Sequence, residues 1–260
     1  MDLILLDAMS MCDLLSEAAT GKWNGRDKCE PPCIKLWTYH VPTDIVDLQP
    51  YLALLSYLER ERAKRFCFES HRAEFVIARA LLRMALGREL GCHARELDFN
   101  YGQFGKPSLV TVESRDGIEF NLSHSHGMIV IAWGRSIRIG VDVEKVKEIF
   151  DHSDITRKCF STKERQLLEA SDIKDHGEIF FSLWTAKEAY SKALGIGVSY
   201  PLEKIDCVAL ALKCHGIYRS AMIGNGRDKS CVLQFKPMSN YIASVVVNNA
   251  VDQVVWRRVF

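Results

Sequence analysis

Apolar and polar positions along the chain follow two different periods, and the switches between them mark the predicted elements. "IKLWTYHV" reads as a strand and opens the main body. Asp47 to Phe66 and Arg72 to Leu90 read as two helices, the second with Phe75, Ala78, Leu82 and Ala85 at helical spacing and Gly91 just past its end. A short strand at "ELDFN", a glycine-rich turn at "YGQFGKPSL", and a strand at "MIVIAWG" after "FNLSHSHG" complete a first half. "IGVDVEKV" then opens a second run in the same order, with helices from about 153 to 194 and strands at "KIDCVALAL", "CVLQFK", "YIASVVVN" and "QVVWRRVF". "ELDFN" matches "KIDCV" modestly, as "SHGMIVIAW" matches "SNYIASVVV", so an internal duplication is one reading of this order. If the halves are related, the favoured ligand site is a cleft between them. The expected organisation is an N-terminal extension over 1–32, packed outside or partly disordered, an N-terminal half over 33–136 and a C-terminal half over 137–260.

Composition narrows the partners. With 260 residues and 48% hydrophobic content the chain is globular and long enough for a sizeable core. The 34 basic and 33 acidic side chains leave a net charge of +1, so no global field attracts nucleic acid or an acidic membrane, and phosphate recognition has to be local. The N-terminal apolar run is broken by Asp7 and Asp13 and has no basic flank, which argues against a leader, and no stretch is apolar over the roughly 20 residues a membrane span needs. Nine cysteines, scattered apart from Cys29 and Cys33 of "CEPPC", read as reduced thiols, mostly in the core of a cytoplasmic protein.

Five segments carry candidate chemistry. Asp142 and Glu144 of "IGVDVEKV" lie two apart on a strand and share a face, where like charges repel unless a cation or water separates them. "FFSLWTAKEAYSKALGIGV" reads as a helix closed by Gly195, with Trp184, Glu188 and Lys192 along one side; Thr185 and Glu188 also fit a capping box. "FNLSHSHG" gathers Ser123, His124, Ser125 and His126 in a turn, suited to a phosphate, to a metal or simply to capping its own backbone. Lys106 sits on the stiff "FGKPS" turn, and "LERERAKRF" with Arg72, Arg79 and Arg83 forms a basic cluster that reads as a solvated helix face or an anion site. Together, three carboxylates, a histidine–serine turn and separate cations suit magnesium and a pyrophosphate, since magnesium takes oxygen ligands and completes its shell with water and substrate phosphates.

"FNLSHS", "IGVDVEKV" and "FSLWTAKEAYSKALGIG", in this order and spacing, resemble the 4′-phosphopantetheinyl transferases of the Sfp type, over about residues 34 to 250. The resemblance implies a pseudo-dimeric α/β (α+β) fold in which each half is a small sheet packed with helices. It also implies coenzyme A bound with Mg²⁺ between the halves, and transfer of the phosphopantetheine arm to a serine of an apo acyl, peptidyl or polyketide carrier protein. Asp142, Glu144 and Glu188 match the metal ligands, and Glu188 and Lys192 the catalytic pair. Ser123, His124, Lys106, Lys187 and Arg62 match coenzyme A contacts; Glu59 stands where some members have a lysine, which makes Arg72 or Arg79 substitutes at the 3′-phosphate. Twice the length of single-half members suggests a monomer. The alternatives are a metal-dependent phosphoesterase and a non-catalytic carrier-binding module.

Overall fold

The computed structural model describes residues 2–24, 32–44, 47–103, 105–110, 117–147, 153–197, 201–211, 218–224, 229–248 and 251–260. Its strands are β1 (Asp2–Met9), β2 (Cys33–His40), β3 (Phe99–Tyr101), β4 (Pro107–Leu109), β5 (Ile118–Ser125), β6 (Met128–Arg135), β7 (Ile139–Lys145), β8 (Tyr218–Ile223), β9 (Ser230–Phe235), β10 (Tyr241–Val247) and β11 (Gln253–Val259). The helices are α1 (Met11–Thr20), α2 (Gln49–Leu52), α3 (Tyr57–Ala63), α4 (Glu69–Leu90), α5 (Ser153–Cys159), α6 (Thr162–Ala170), α7 (His176–Leu194) and α8 (Val208–Ala211).

Two sheets, ordered β1-β11-β2-β6-β5 and β7-β10-β9-β8, form the centre of the molecule. Their facing sides meet in one apolar core, where Ile34, Leu36, Val130, Ala132 and Trp256 of the first pack with Val141, Val143, Leu233 and Ala243 of the second. The outer face of the first sheet is covered by α4, through Val76, Ala80, Met84 and their neighbours. The outer face of the second is covered by α7, through Leu183, Ala186, Ala189 and Ala193. The result is a mixed α+β sandwich with the long helices outside, in line with the α+β class expected.

Three elements differ from the sequence reading. Residues 2–20 are part of the fold: β1 pairs parallel with β11, and Met11, Leu14 and Ala18 of α1 enter the core beside α4. Because β11 lies between β1 and β2, the chain's last strand also belongs to the first sheet, so a cut at 137 does not separate the two sheets. Leu14 is fully buried, and Leu14→Ala is expected to cost about 3 kcal/mol in urea unfolding; an extension packed loosely outside would lose almost nothing. Second, Asp47 to Phe66 is two helices, broken where Ser56 caps α3 with Glu59 in a reciprocal capping box. Third, "KIDCVALAL" is not a strand. Asp206 Oδ1 accepts the Val208 N–H and the Cys207 N–H bonds to Glu164 Oε1, which turns the apolar run into α8. Cys33 is disulfide-bonded, against the reading of uniformly reduced thiols, while Cys12, Cys67, Cys92, Cys159, Cys207 and Cys231 are free. Cys29 lies outside the described residues.

Candidate active site

The site lies where β5, β7 and α7 converge. Strand alternation sends Ile139, Val141 and Val143 of β7 into the inter-sheet core and leaves Gly140, Asp142 and Glu144 on the opposite side, toward α7. Gly140 lets the helix come close, since a Cβ there would lie 1.9 Å from the Ala189 carbonyl oxygen. The next turn of α7 carries Glu188 and Lys192, four residues apart on one side. Thr185 does not cap this helix, which begins at His176; its hydroxyl bonds to Phe181 O and Ser244 Oγ.

Asp142 is buried, and its Oδ1 accepts hydrogen bonds from Lys192 Nζ at 2.6 Å and Ser123 Oγ at 3.0 Å. Glu144 accepts from Ser125 Oγ at 2.6 Å. Burial pushes the Glu188 carboxyl above its ordinary range, and the charges of Asp142 and Glu144 push it further than Lys192 can offset. Burial, with Asp142 beside it, does the same to Glu144 in spite of its bond from Ser125. Two oxygens, Asp142 Oδ2 and Glu188 Oε1, are buried without any hydrogen-bond partner. Burying a carboxylate oxygen unsatisfied is costly, so this pair marks a place for a ligand. Among the described residues no three acids, histidines or cysteines form a ready-made metal cage.

The hairpin of β5 and β6 supplies the other wall. Its two-residue turn, His126–Gly127, has positive φ at both positions (49° and 86°), the geometry of a tight primed hairpin turn. His124, exposed at the rim, approaches Glu74 Oε1 at 3.3 Å through Nδ1. Lys106 is half-buried across the seam and donates to Ile139 O at 3.0 Å; burial holds its ammonium below the usual lysine range. Beside the turn opens a cleft of about 750 Å³, lined in part by His40, Val41, Leu52, Arg72, Glu74 and His126.

Two residues expected at coenzyme A are placed elsewhere. Lys187 is fully buried, pairs with Glu164 at 2.9 Å and donates to Leu202 O and Ile205 O, so its charge is spent on holding α6 and the 202–205 segment to α7. Arg79 is 5% exposed and held by Glu59 Oε1 at 2.7 Å, while Arg83 takes Glu59 Oε2 at 2.7 Å. Glu59 therefore joins α3 to α4, and neither arginine is free for a substrate anion. Arg72 pairs with Glu69 at 2.6 Å. Arg62 is exposed, lies over the Phe75 ring, and lines a pocket of about 260 Å³ with Arg65 and Tyr101. The sequence reading gave no role to Glu74 or to Tyr241, whose hydroxyl donates to His126 O at 2.6 Å. The sequence reading placed Ser123, His124 and Ser125 in a turn, but they lie on β5, which puts the Ser123 and Ser125 hydroxyls on one face, and only His126 and Gly127 form the turn.

Fold and site thus define a mixed α+β protein in which acids and cations gather where β5, β7 and α7 meet. A family model described as the 4′-phosphopantetheinyl transferase superfamily matches residues 138–246, and one described as the 4′-phosphopantetheinyl transferase N-terminal region matches residues 42–135. The chain is 36% identical over 173 residues to the 4′-phosphopantetheinyl transferase HetI of Nostoc sp., across 66% of this chain and 73% of that protein. It is 29% identical over 156 residues to the 4′-phosphopantetheinyl transferase Sfp of Bacillus subtilis, across 60% and 67%. It is 32% identical over 164 residues to the L-aminoadipate-semialdehyde dehydrogenase-phosphopantetheinyl transferase of Schizosaccharomyces pombe, across 58% and 62%. The chain belongs to the 4′-phosphopantetheinyl transferase superfamily, and its activity is phosphopantetheinyl transfer. No described helix is long and apolar enough to cross a membrane.

Proposed function

We propose that the chain carries the 4′-phosphopantetheine arm of coenzyme A to a serine of an apo acyl, peptidyl or polyketide carrier, in a Mg²⁺-dependent reaction at Asp142, Glu144 and Glu188. The observation that supports this most directly is the pair of unpartnered buried oxygens, Asp142 Oδ2 and Glu188 Oε1. The donor set is all oxygen and offers too few ligands for a complete shell, which suits Mg²⁺, an ion that keeps waters and borrows substrate phosphates. When bound, Mg²⁺ neutralises charge on the pyrophosphate.

The chain's own residues account for the rest. Ser123, His124, Lys106 and Arg62 hold the phosphates of coenzyme A, Lys106 from a turn fixed across the seam. Glu188, kept ready to accept a proton by burial and its acidic neighbours, takes the proton of the carrier serine. The serine oxygen forms its bond to phosphorus as the bond to the departing oxygen breaks, releasing adenosine 3′,5′-bisphosphate. Lys192, poised 2.6 Å from Asp142, stabilises the charge that builds on that leaving group. Because both walls of the site come from one chain, it works as a monomer, and the free thiols among the described residues suit the cytoplasm in spite of the disulfide at Cys33.

The test is mass spectrometry of purified apo carriers incubated with the protein, coenzyme A and Mg²⁺. A gain of one phosphopantetheine unit, lost when EDTA is added, is the expected result. A folded sample that modifies no fatty-acid, polyketide or peptide carrier, or that hydrolyses phosphoesters without a carrier, would overturn the reading.

A further inference from the structure

Glu74 of α4 belongs to none of the candidate motifs, yet it makes contacts that fix the β5–β6 hairpin. Its Oε1 receives the Gly127 N–H at 3.1 Å and stands 3.3 Å from His124 Nδ1, with the side chain only 12% exposed. The turn is held on two further sides. The Val41 N–H donates to Gly127 O at 2.8 Å, and the Tyr241 hydroxyl, from the second half of the molecule, donates to His126 O at 2.6 Å. His126 adopts φ 49°, a conformation uncommon for a side-chain-bearing residue, and these contacts are what hold it there. Burial raises the Glu74 carboxyl, but its bonds from His124 and Gly127 outweigh that and keep it below the usual range, ionised and acceptor-only.

We propose that Glu74 is a positioning residue for phosphopantetheinyl transfer, fixing the ring of His124 and the turn beyond it so that His124 Nε2 meets a phosphate of the donor. The inference rests on the phosphate role given to His124 above. An acceptor-only carboxylate at Nδ1 requires the proton on that nitrogen, and when a phosphate oxygen arrives at Nε2 the ring needs a proton there as well. Glu74 supplies the counter-charge for that doubly protonated ring. A helix glutamate thereby acts on the donor through another residue, as partners behind ligand-binding histidines commonly do.

Calorimetric titration of the full chain with adenosine 3′,5′-bisphosphate tests this with Glu74→Gln, His124→Ala and the double variant. Glutamine keeps an acceptor for Gly127 and removes only the charge. Glu74→Gln is expected to weaken binding about tenfold with an unchanged unfolding midpoint, and to add nothing in the His124→Ala background. Wild-type affinity in Glu74→Gln beside a weakened His124→Ala, or additive losses in the double variant, would overturn the inference and leave the site reading standing. Wild-type affinity in His124→Ala would remove the phosphate role itself and the inference with it. A ¹⁵N spectrum of the unmutated protein needs no variant to fold: Nδ1 of His124 is expected to carry a proton with the bisphosphate bound, and a bare Nδ1 overturns the proposal.

Discussion

Glu188→Gln is expected to lower the rate of carrier modification by about a thousandfold while leaving the protein at least as stable as before. Glutamine has the shape of glutamate, so packing on α7 is unchanged. What disappears is a negative charge that burial and the nearby Asp142 and Glu144 already disfavour. A residue kept for stability would behave in the opposite way: its loss would lower the unfolding midpoint and spare the chemistry of the molecules still folded. Here the ion-free protein gains from losing a like charge beside Asp142, and the reaction loses its proton acceptor. Single-turnover transfer followed by mass spectrometry, with thermal unfolding in EDTA on the same samples, separates the two. Transfer within tenfold of the unmutated protein would remove Glu188 from the role of base.

The parts of this site that were legible in the sequence are those encoded by local period. Asp142 and Glu144 share a strand face because they are two apart, and Glu188 and Lys192 share a helix side because they are four apart; Ser123 and Ser125, read as turn residues, follow the strand rule only in the structure. Which charges are already neutralised is not a local property. Lys187 meets Glu164 from 23 positions earlier, and Arg79 meets Glu59 from 20 positions earlier, so sequence alone could not show that both cations are consumed inside the fold. Glu59 stood out in the sequence as a departure from the resembled family, with Arg79 as an expected substitute cation, yet Glu59 is what holds Arg79 in place. It draws Arg79 and Arg83 inward, while Arg62 and Arg65 face outward beside Tyr101. The N-terminal strand was hidden for a related reason. An edge strand such as β1 is held largely by backbone pairing with β11, and Ile4 and Leu5 stay exposed, so the alternation that betrays half-buried strands is missing.

Gly140→Ala is expected to cost more than about 4 kcal/mol and to cut the transfer rate of the folded fraction at least a hundredfold. The added Cβ would sit 1.9 Å from Ala189 O and 2.3 Å from Ala193 N, both backbone atoms of α7. No rotamer change relieves such contacts; the helix must move away from the strand, and Glu188, adjacent to Ala189, moves with it. Overpacking in a core commonly costs 1 to 3 kcal/mol when side chains can yield, so a backbone-to-backbone clash belongs above that range. The glycine of the G-x-D-x-E segment is thus required by the same close approach that brings a strand acid and a helix acid to one pocket. Gly102→Ala is the control, because its Cβ would meet nothing nearer than Lys106 O at 3.7 Å. Urea unfolding and transfer rates of both variants decide the matter. A Gly140→Ala protein within about 1 kcal/mol of the parent and fully active would show that α7 does not press on β7 as described, and that the spacing of the three acids is set in some other way.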